Sequence, residues 1–532
     1  MSKVANRQGS SSAKSVKTVS KEQDNNTGIS GVLLTVTAAA CFLSTLLFDK
    51  TQSINTLSIG ILGFVIVVAA AVFLGLNKKL DTNTAIILIF VAGFVIRLDY
   101  VLYTVLSESS RVRQHDVYEF GSGKGHAGYI EHFYNNGFKL ADFDPTTKAQ
   151  FYHPPLHHFI AALWMRLLTT FGMSYQRAIA SIQYLTLFYS CCCMIVTERI
   201  LDELKVRKIG KLIAFSLVAF HPTFIILAGS INNDILSVLF ILLSVYTTIK
   251  WYNDPTLRNI LMIALSIGLG MTTKLSVALI APPIAVVFLV KLIQSKKHKS
   301  EYIGQYCVFG CLCLPLGLWF SIRNFIKYKV SFTYVPKLAD TSDQYVGSYS
   351  AFERLFDFSY HPFENIFLNR VSTGSDYFEY NPVVSFIKTS MFGEYNFAAT
   401  NSEIVTPSKV LLVLNVILIV LSVVALVYCV VKKSNFLDRT IKFFFLFYQV
   451  LIFVNFIIFS FQYPHTCSMD YRYMVPTCVI GAIFIGMAVE QIGEDKGEAA
   501  AVTRIVKYGT LGITALFSLF SVIVFLMLGV KT

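Results

Sequence analysis

One pattern recurs along nearly the whole chain: an apolar run of about twenty residues, a short polar break, and another run. A bilayer core of about 30 Å demands roughly 20 apolar residues per crossing, and a helix meets that demand because it satisfies its own backbone in hydrocarbon. Thirteen runs qualify: 30–47, 58–76, 84–106, 176–197, 210–229, 233–250, 257–273, 275–294, 304–322, 409–431, 439–461, 473–491 and 508–529. The expected fold class is an all-α polytopic membrane protein, a bundle of about 13 transmembrane helices. Composition agrees, with 54% hydrophobic and only 14% charged residues; ordinary soluble domains carry roughly 25% charged.

A further apolar stretch, 155–171, decides the topology, because counting it as a span inverts everything after it. Hydropathy alone admits it as a fourteenth crossing. Laid on the membrane surface as an amphipathic helix instead, it puts the basic segments 198–211 (ERILDELKVRKIGK), 291–299 (KLIQSKKHK), 432–442 and 496–507 on the side of the Lys-containing N-terminal tail. That satisfies the positive-inside rule and gathers two large loops, 107–175 and 323–408, with 462–472 on the outer face. The N-terminus is then cytoplasmic, with residues 1–28 a disordered tail rich in Ser, Lys, Asn and Gln.

The net charge of +13 follows from this topology and adds attraction to anionic membrane lipids; it implies no nucleic acid. Nine of the ten cysteines lie in or near apolar runs, leaving Cys467 alone in an outer loop, so neither a disulfide framework nor a zinc pair is expected. The outer loops carry no Asn-x-Ser/Thr sequon, which points to a bacterial plasma membrane.

Ionisable groups near membrane depth are costly and mark function. Five clusters fall at the outer ends of spans: RVRQHDVYEF (111–120), SINND (230–234), TTK (272–274), IRN (322–324) and DYRY (470–473). Each alone reads as a helix cap or a snorkelling cation; together on one face they define a cavity. It would combine carboxylates (Asp116, Asp234, Asp470) with cations (Lys274, Arg323, Arg472). A carboxylate can take a proton from a nucleophilic hydroxyl, and Arg or Lys can hold a phosphate and stabilise it as a leaving group. That pairing suits transfer from a phosphate-activated donor to an alcohol or amine.

Two other features carry less. GSGKGH (121–126) lacks the spacing of a phosphate-binding loop and reads as a turn. His115, His126, His132, His153, His157 and His158 show no zinc-protease spacing. No cofactor follows from the sequence, although a divalent cation such as Mg or Mn beside Asp116 and a phosphate is compatible with it.

The order RQHDV, GHAGYIEHFYNNG, QFYHPPLHHFIAALW, NND, TTKLS, WFSIRN, FGEY (392–395) and DYRYMVP resembles the GT-C class of polyprenyl-phosphate-dependent glycosyltransferases. Within that class it is similar to the family 39 type, related to protein O-mannosyltransferases and the lipid A aminoarabinose transferase. The resemblance implies a GT-C-like catalytic module over 84–491, with two additional transmembrane helices in 29–83 and a loop and last helix in 492–532. It implies a sugar donor on a polyprenyl phosphate, used outside the membrane, and a protein, glycan or lipid acceptor. Asp116 would deprotonate or organise the acceptor; Lys274, Arg323 and Arg472 would bind the donor phosphate. His115, Tyr152, His153, Asn233, Asp234, Glu394, Asp470 and Tyr473 would line the substrate cavity, with Pro154 and Pro155 in the loop helix that shapes it. The mannosyltransferases carry Asp-Glu where this chain has Asp116-Val117, its next acid being Glu119. Two other readings stand beside this one: a flippase or transporter of lipid-linked sugar, and an O-antigen-type polymerase or ligase.

Overall fold

The computed structural model describes residues 30–52, 54–106, 120–358, 365–367, 379–399, 401–432, 437–494 and 500–530. All thirteen apolar runs are helical, and among the described residues there is no strand. Helices α1 (Ser30–Leu47), α2 (Thr56–Leu76) and α3 (Thr82–Tyr103) precede the first long loop, which holds α4 (Gly125–Asn135) and α5 (Leu156–Thr170). Next come α6 (Tyr175–Ala180), α7 (Ile182–Glu203), α8 (Lys208–Ala219), α9 (Pro222–Ala228), α10 (Asp234–Asn253), α11 (Leu257–Thr273), α12 (Ala281–Gln294) and α13 (Lys299–Tyr328). The second long loop contains α14 (Ala351–Phe356) and α15 (Pro382–Phe392). The chain ends with α16 (Val405–Val431), α17 (Arg439–Gln462), α18 (Pro476–Glu494) and α19 (Ala500–Met527).

Ten helical stretches among the described residues are long and apolar enough to cross a membrane. Helices α8 and α9 pass that test only together, bent by 45°, where Pro222 starts α9 and cannot supply the backbone donor that would continue α8. Helices α11 and α18 are shorter and apolar. These elements coincide with the thirteen runs, while the fifteen-residue α5 stands apart as an amphipathic helix. It buries His157, His158, Ala161, Ala162, Met165 and Leu168 and leaves Leu163, Leu167 and Phe171 exposed, as an interfacial helix would.

Helices α7 and α10 are buried around most of their surface, whereas α2 buries only Thr56 and Gly60 and presents apolar side chains outward. In hydrocarbon, close packing replaces the hydrophobic drive between helices. Gly210 of α8 and Gly486 of α18 show this, since a Cβ on either would come within 2.4 Å of the other's carbonyl oxygen. The buried Arg97 of α3 ties three helices: it donates to Ser190 Oγ (2.9 Å) and to the carbonyls of Gly93 (2.8 Å) and Ala219 (2.5 Å). A charge so deep is tolerable only with its donors satisfied.

Both long loops and the α17–α18 connection meet at one end of the bundle. Val346 N–H donates to Pro464 O and Thr466 N–H to Gln344 O, each at 2.9 Å, stitching the second loop to the connection. The first loop is held by the end of α13, through Arg323 to Ala141 O (2.5 Å) and an ion pair between Lys327 and Asp142. His157 of α5 bonds Ile231 O through Nε2 (2.8 Å), docking that loop on the SINND turn.

Candidate functional site

The SINND turn ends where α10 begins, and TTK ends where α11 stops. Asn233 Nδ2 donates to Thr273 O (2.8 Å), clamping one helix end on the other, and Asn232 Oδ1 accepts from Asp234 N–H (3.1 Å). Lys274, extended at φ −154°, ψ 125°, turns its side chain back to an ion pair with Asp234. Its ammonium stands 5.0 Å from the centre of the Tyr473 ring. The Arg472 guanidinium stands over the same ring at 5.3 Å, donating to the Tyr473 hydroxyl at 3.4 Å. Two cations from distant parts of the chain thus flank one aromatic ring, an arrangement favoured by its quadrupole.

Asp470 caps the short turn that carries Arg472, accepting from Arg472 N–H at 2.7 Å. It is 6% exposed and lies near Glu394, also buried. Burial, then the charge of Glu394, push its carboxyl up to about 6 despite the opposing Arg472. A small cavity of about 40 Å³ opens here, lined by Thr223, Ser230, Asn232, Thr389, Glu394, Asp470 and Arg472 together with the apolar Ile226 and Leu227. Gly393, at φ +58°, lets the chain turn sharply from α15 into Glu394. A second, apolar cavity of about 350 Å³ is walled mainly by α16, α17 and α18 and includes Ser390 and Tyr471, the chain neighbours of Thr389 and Arg472. His221, Asn415 and Gln449 are among its few polar members.

The second loop is pinned by a buried ion pair, Lys388 Nζ to Glu379 Oε2 at 2.7 Å, both side chains 1% exposed. Since Lys388 is on α15, the pair fixes the helix that carries Thr389 and leads into Glu394. In the first loop, His126 Nδ1 and His158 Nε2 are 2.8 Å apart, stacked within the fold, and burial holds His158 well below the ordinary imidazole range.

Of the residues picked from sequence, Asp234, Lys274, Glu394, Asp470, Arg472 and Tyr473 come together. His115 and Asp116 lie outside the described residues. Arg323 is engaged with Ala141 O of the first loop and with Asn324 Oδ1 (2.9 Å) of its own helix. Tyr152 and His153 pack on one another, on Tyr334 and on His126, and the Asn233 side chain is spent on Thr273; none of the three lines either cavity. Sequence reasoning missed Thr223, Ser230, Asn232 and Thr389 as cavity walls. Asn232 and Ser230 were within the SINND cluster, but no pattern singled out Thr389 among the polar residues Ser385, Lys388 and Ser390 of α15. Among the described residues no group of three His, Cys, Asp or Glu side chains could hold a metal ion, so the Mg or Mn expectation rests on Asp116 alone.

Comparison with known proteins places part of this framework. Residues 152–319 match the dolichyl-phosphate-mannose-protein mannosyltransferase family. The match spans about a third of the chain, and over that third it agrees with the kinship read from the motifs. No curated protein matches the sequence. Among solved structures, the oligosaccharyltransferase of Archaeoglobus fulgidus tethered to an acceptor peptide is 13% identical with a TM-score of 0.47, over 84% of this chain and 55% of that one. The same archaeal protein, AglB, with an inhibitory peptide and a dolichol-phosphate gives 12% and 0.46, over 84% and 55%. ArnT from Cupriavidus metallidurans bound to undecaprenyl phosphate gives 12% and 0.46, over 84% of this chain and 77% of that one. The chain therefore spans about half the length of the archaeal enzyme.

Proposed function

We propose that the chain is an inverting membrane glycosyltransferase, moving a sugar from a polyprenyl-phosphate donor to an acceptor hydroxyl at the loop end of the bundle. The observation that carries this is a pair of cations on one ring beside two cavities. Lys274 and Arg472 stand over Tyr473, Arg472 also lines the small cavity with Glu394 and Asp470, and the adjacent Tyr471 lines the apolar cavity of about 350 Å³. An amphiphile with an anionic head and a hydrocarbon tail suits these surroundings: the cations take the phosphate and the apolar walls take the tail. The match over 152–319 supports the same donor class.

The reaction is a single displacement. The acceptor oxygen forms a bond to the anomeric carbon as the bond from that carbon to the phosphate oxygen breaks, so configuration inverts. The acceptor proton passes to a carboxylate, for which Asp116 is our choice, and polyprenyl phosphate leaves with its new charge met by Lys274 and Arg472. The basic segments 198–211 and 291–299 lie away from this end, which supports a cytoplasmic N-terminus and an extracytoplasmic site in the plasma membrane.

The test is transfer by purified protein from a panel of radiolabelled polyprenyl-phosphate monosaccharides to acceptors in a membrane extract, comparing wild type with Asp116→Asn. Label reaching a polar product with wild type alone establishes the activity, names the sugar and supports the base. Equal transfer by Asp116→Asn removes Asp116 from that role. No transfer from any donor, with lipid-linked sugar crossing liposomes instead, overturns the reading in favour of a flippase.

A further inference from the structure

Helix α14 and the two residues after it carry three exposed phenylalanines, Phe352, Phe356 and Phe358, on an otherwise tightly fixed segment. Ser350 and Glu353 form a capping box at its start. Arg354, 2% exposed, anchors it: the guanidinium donates to Ser460 O at 2.8 Å and Tyr380 O at 3.3 Å, and stacks 4.4 Å over the Phe461 ring. Ser460 is in the last turn of α17, where carbonyls have no helical partner and a cation is favoured.

Helical geometry then fixes where the phenylalanines point. Residues two positions either side of Arg354 are rotated by about 200° from it, so Phe352 and Phe356 share the face opposite the anchor. Both are open, at 73% and 62% exposed, with rings 5.1 Å apart, and Phe358 follows at 59%.

Its position says what covers it. Along α17, Val450, Val454 and Ile458 are exposed and spaced by four, the outward apolar stripe of a membrane-crossing helix. Phe461 lies three residues beyond Ile458, on the same side, and it is on Phe461 that Arg354 stacks. Helix α14 therefore sits at the loop end of that stripe, and its phenylalanines continue the apolar surface past the end of the crossing. An aromatic apolar ridge at the end of a span is suited to the boundary between headgroups and acyl chains.

We propose that Phe352 and Phe356, with Phe358, form a ridge that dips into the membrane leaflet at the loop end of the bundle. The occupant of this surface is the bilayer itself. The same anchor reaches the site, because Arg354 also contacts Met469 Sδ at 3.7 Å, one residue before Asp470. The ridge thus ties the Asp470–Arg472 turn to the membrane surface, whatever reaction that turn serves.

The experiment places a tryptophan on the ridge, Phe356→Trp and separately Phe352→Trp, in full-length protein in phosphatidylcholine–phosphatidylglycerol vesicles. Emission is read as the difference from wild type, whose tryptophans are Trp164, Trp251 and Trp319. The proposal expects the added emission to be blue-shifted, to lose most of its intensity with phosphatidylcholine brominated on the acyl carbons nearest the headgroup, and to resist aqueous acrylamide. Quenching by acrylamide with none by brominated lipid overturns it, leaving the ridge in water. Resistance to both quenchers also overturns it, because the ridge is then covered by protein. The two variants report independently, so failure of one to fold leaves the other decisive.

Discussion

Asp470→Asn is expected to stabilise the protein, by an amount that grows with pH. In the wild type, burial and Glu394 push the Asp470 carboxyl up to about 6, against roughly 3.9 in an unfolded chain. An acid raised on folding binds its proton more tightly in the native state, so ionising it costs native stability. The cost is absent below pH about 4, grows between about 4 and 6, and is constant above, at roughly 3 kcal/mol for a two-unit difference. Asparagine keeps the shape and the oxygen that accepts from Arg472 N–H without the charge. Apparent melting midpoints of the two proteins in detergent should therefore coincide near pH 4, separate up to pH 6 and run parallel to pH 8, with the variant higher. Glu394→Gln, by removing the second-largest cause, should narrow that separation. A variant less stable than wild type at pH 7, or a separation that does not change with pH, would refute the reasoning.

Other perturbations test other parts of the arrangement. Lys274→Met should lower transfer roughly ten- to hundredfold, the worth of a charge-assisted hydrogen bond of about 1.5–3 kcal/mol; adding Asp234→Asn should restore thermal stability but not transfer. Lys388→Met should cost roughly 3–5 kcal/mol, as breaking a buried ion pair does, and Lys388→Met with Glu379→Gln should recover most of the melting midpoint and, unlike the Lys274 pair, the transfer as well. Burial lowers His157 to about 4, below the roughly 6.5 of an unfolded chain, so its contribution is whole above pH 6.5 and lost as pH falls towards 4. His157→Gln should flatten that acid limb in a melting-midpoint titration.

The spans were legible because hydrocarbon leaves the chain so little choice: a run of apolar residues must close its own hydrogen bonds. For 155–171 hydropathy admitted a crossing and only charge argued for the membrane surface; the structure forms it as the fifteen-residue amphipathic α5. The bend at His221–Pro222 lay inside 210–229, a run counted as one span, although Pro222 marked it. The site was partly legible for a related reason. Polar residues at span ends identify the end of the bundle they occupy but not their direction around its axis. Asp234, Lys274 and Arg472 face inward and meet, whereas Arg323, chosen on the same grounds, faces the first loop and is engaged with Ala141. The Lys388–Glu379 pair depends on the path of an irregular loop, for which no periodicity exists to read.

Charge balance around Tyr473 argues for what the site holds. Lys274 and Arg472 supply two positive charges, while Asp234, Glu394 and Asp470 would supply three negative ones if all were ionised. An anionic phosphate would then enter a field already negative, with Arg472 partly occupied by Asp470. A carboxyl raised to about 6 relieves this cheaply, because holding its proton at pH 7 costs only about 1.4 kcal/mol. A phosphodiester seated between Lys274 and Arg472 would raise Asp470 further, so the donor and a proton are expected to bind together. On this reasoning the strain at Asp470 is part of how the site accepts an anion, and Asp470→Asn, more stable above pH 6, should hold the donor at least as tightly as wild type and lose the pH dependence of that affinity.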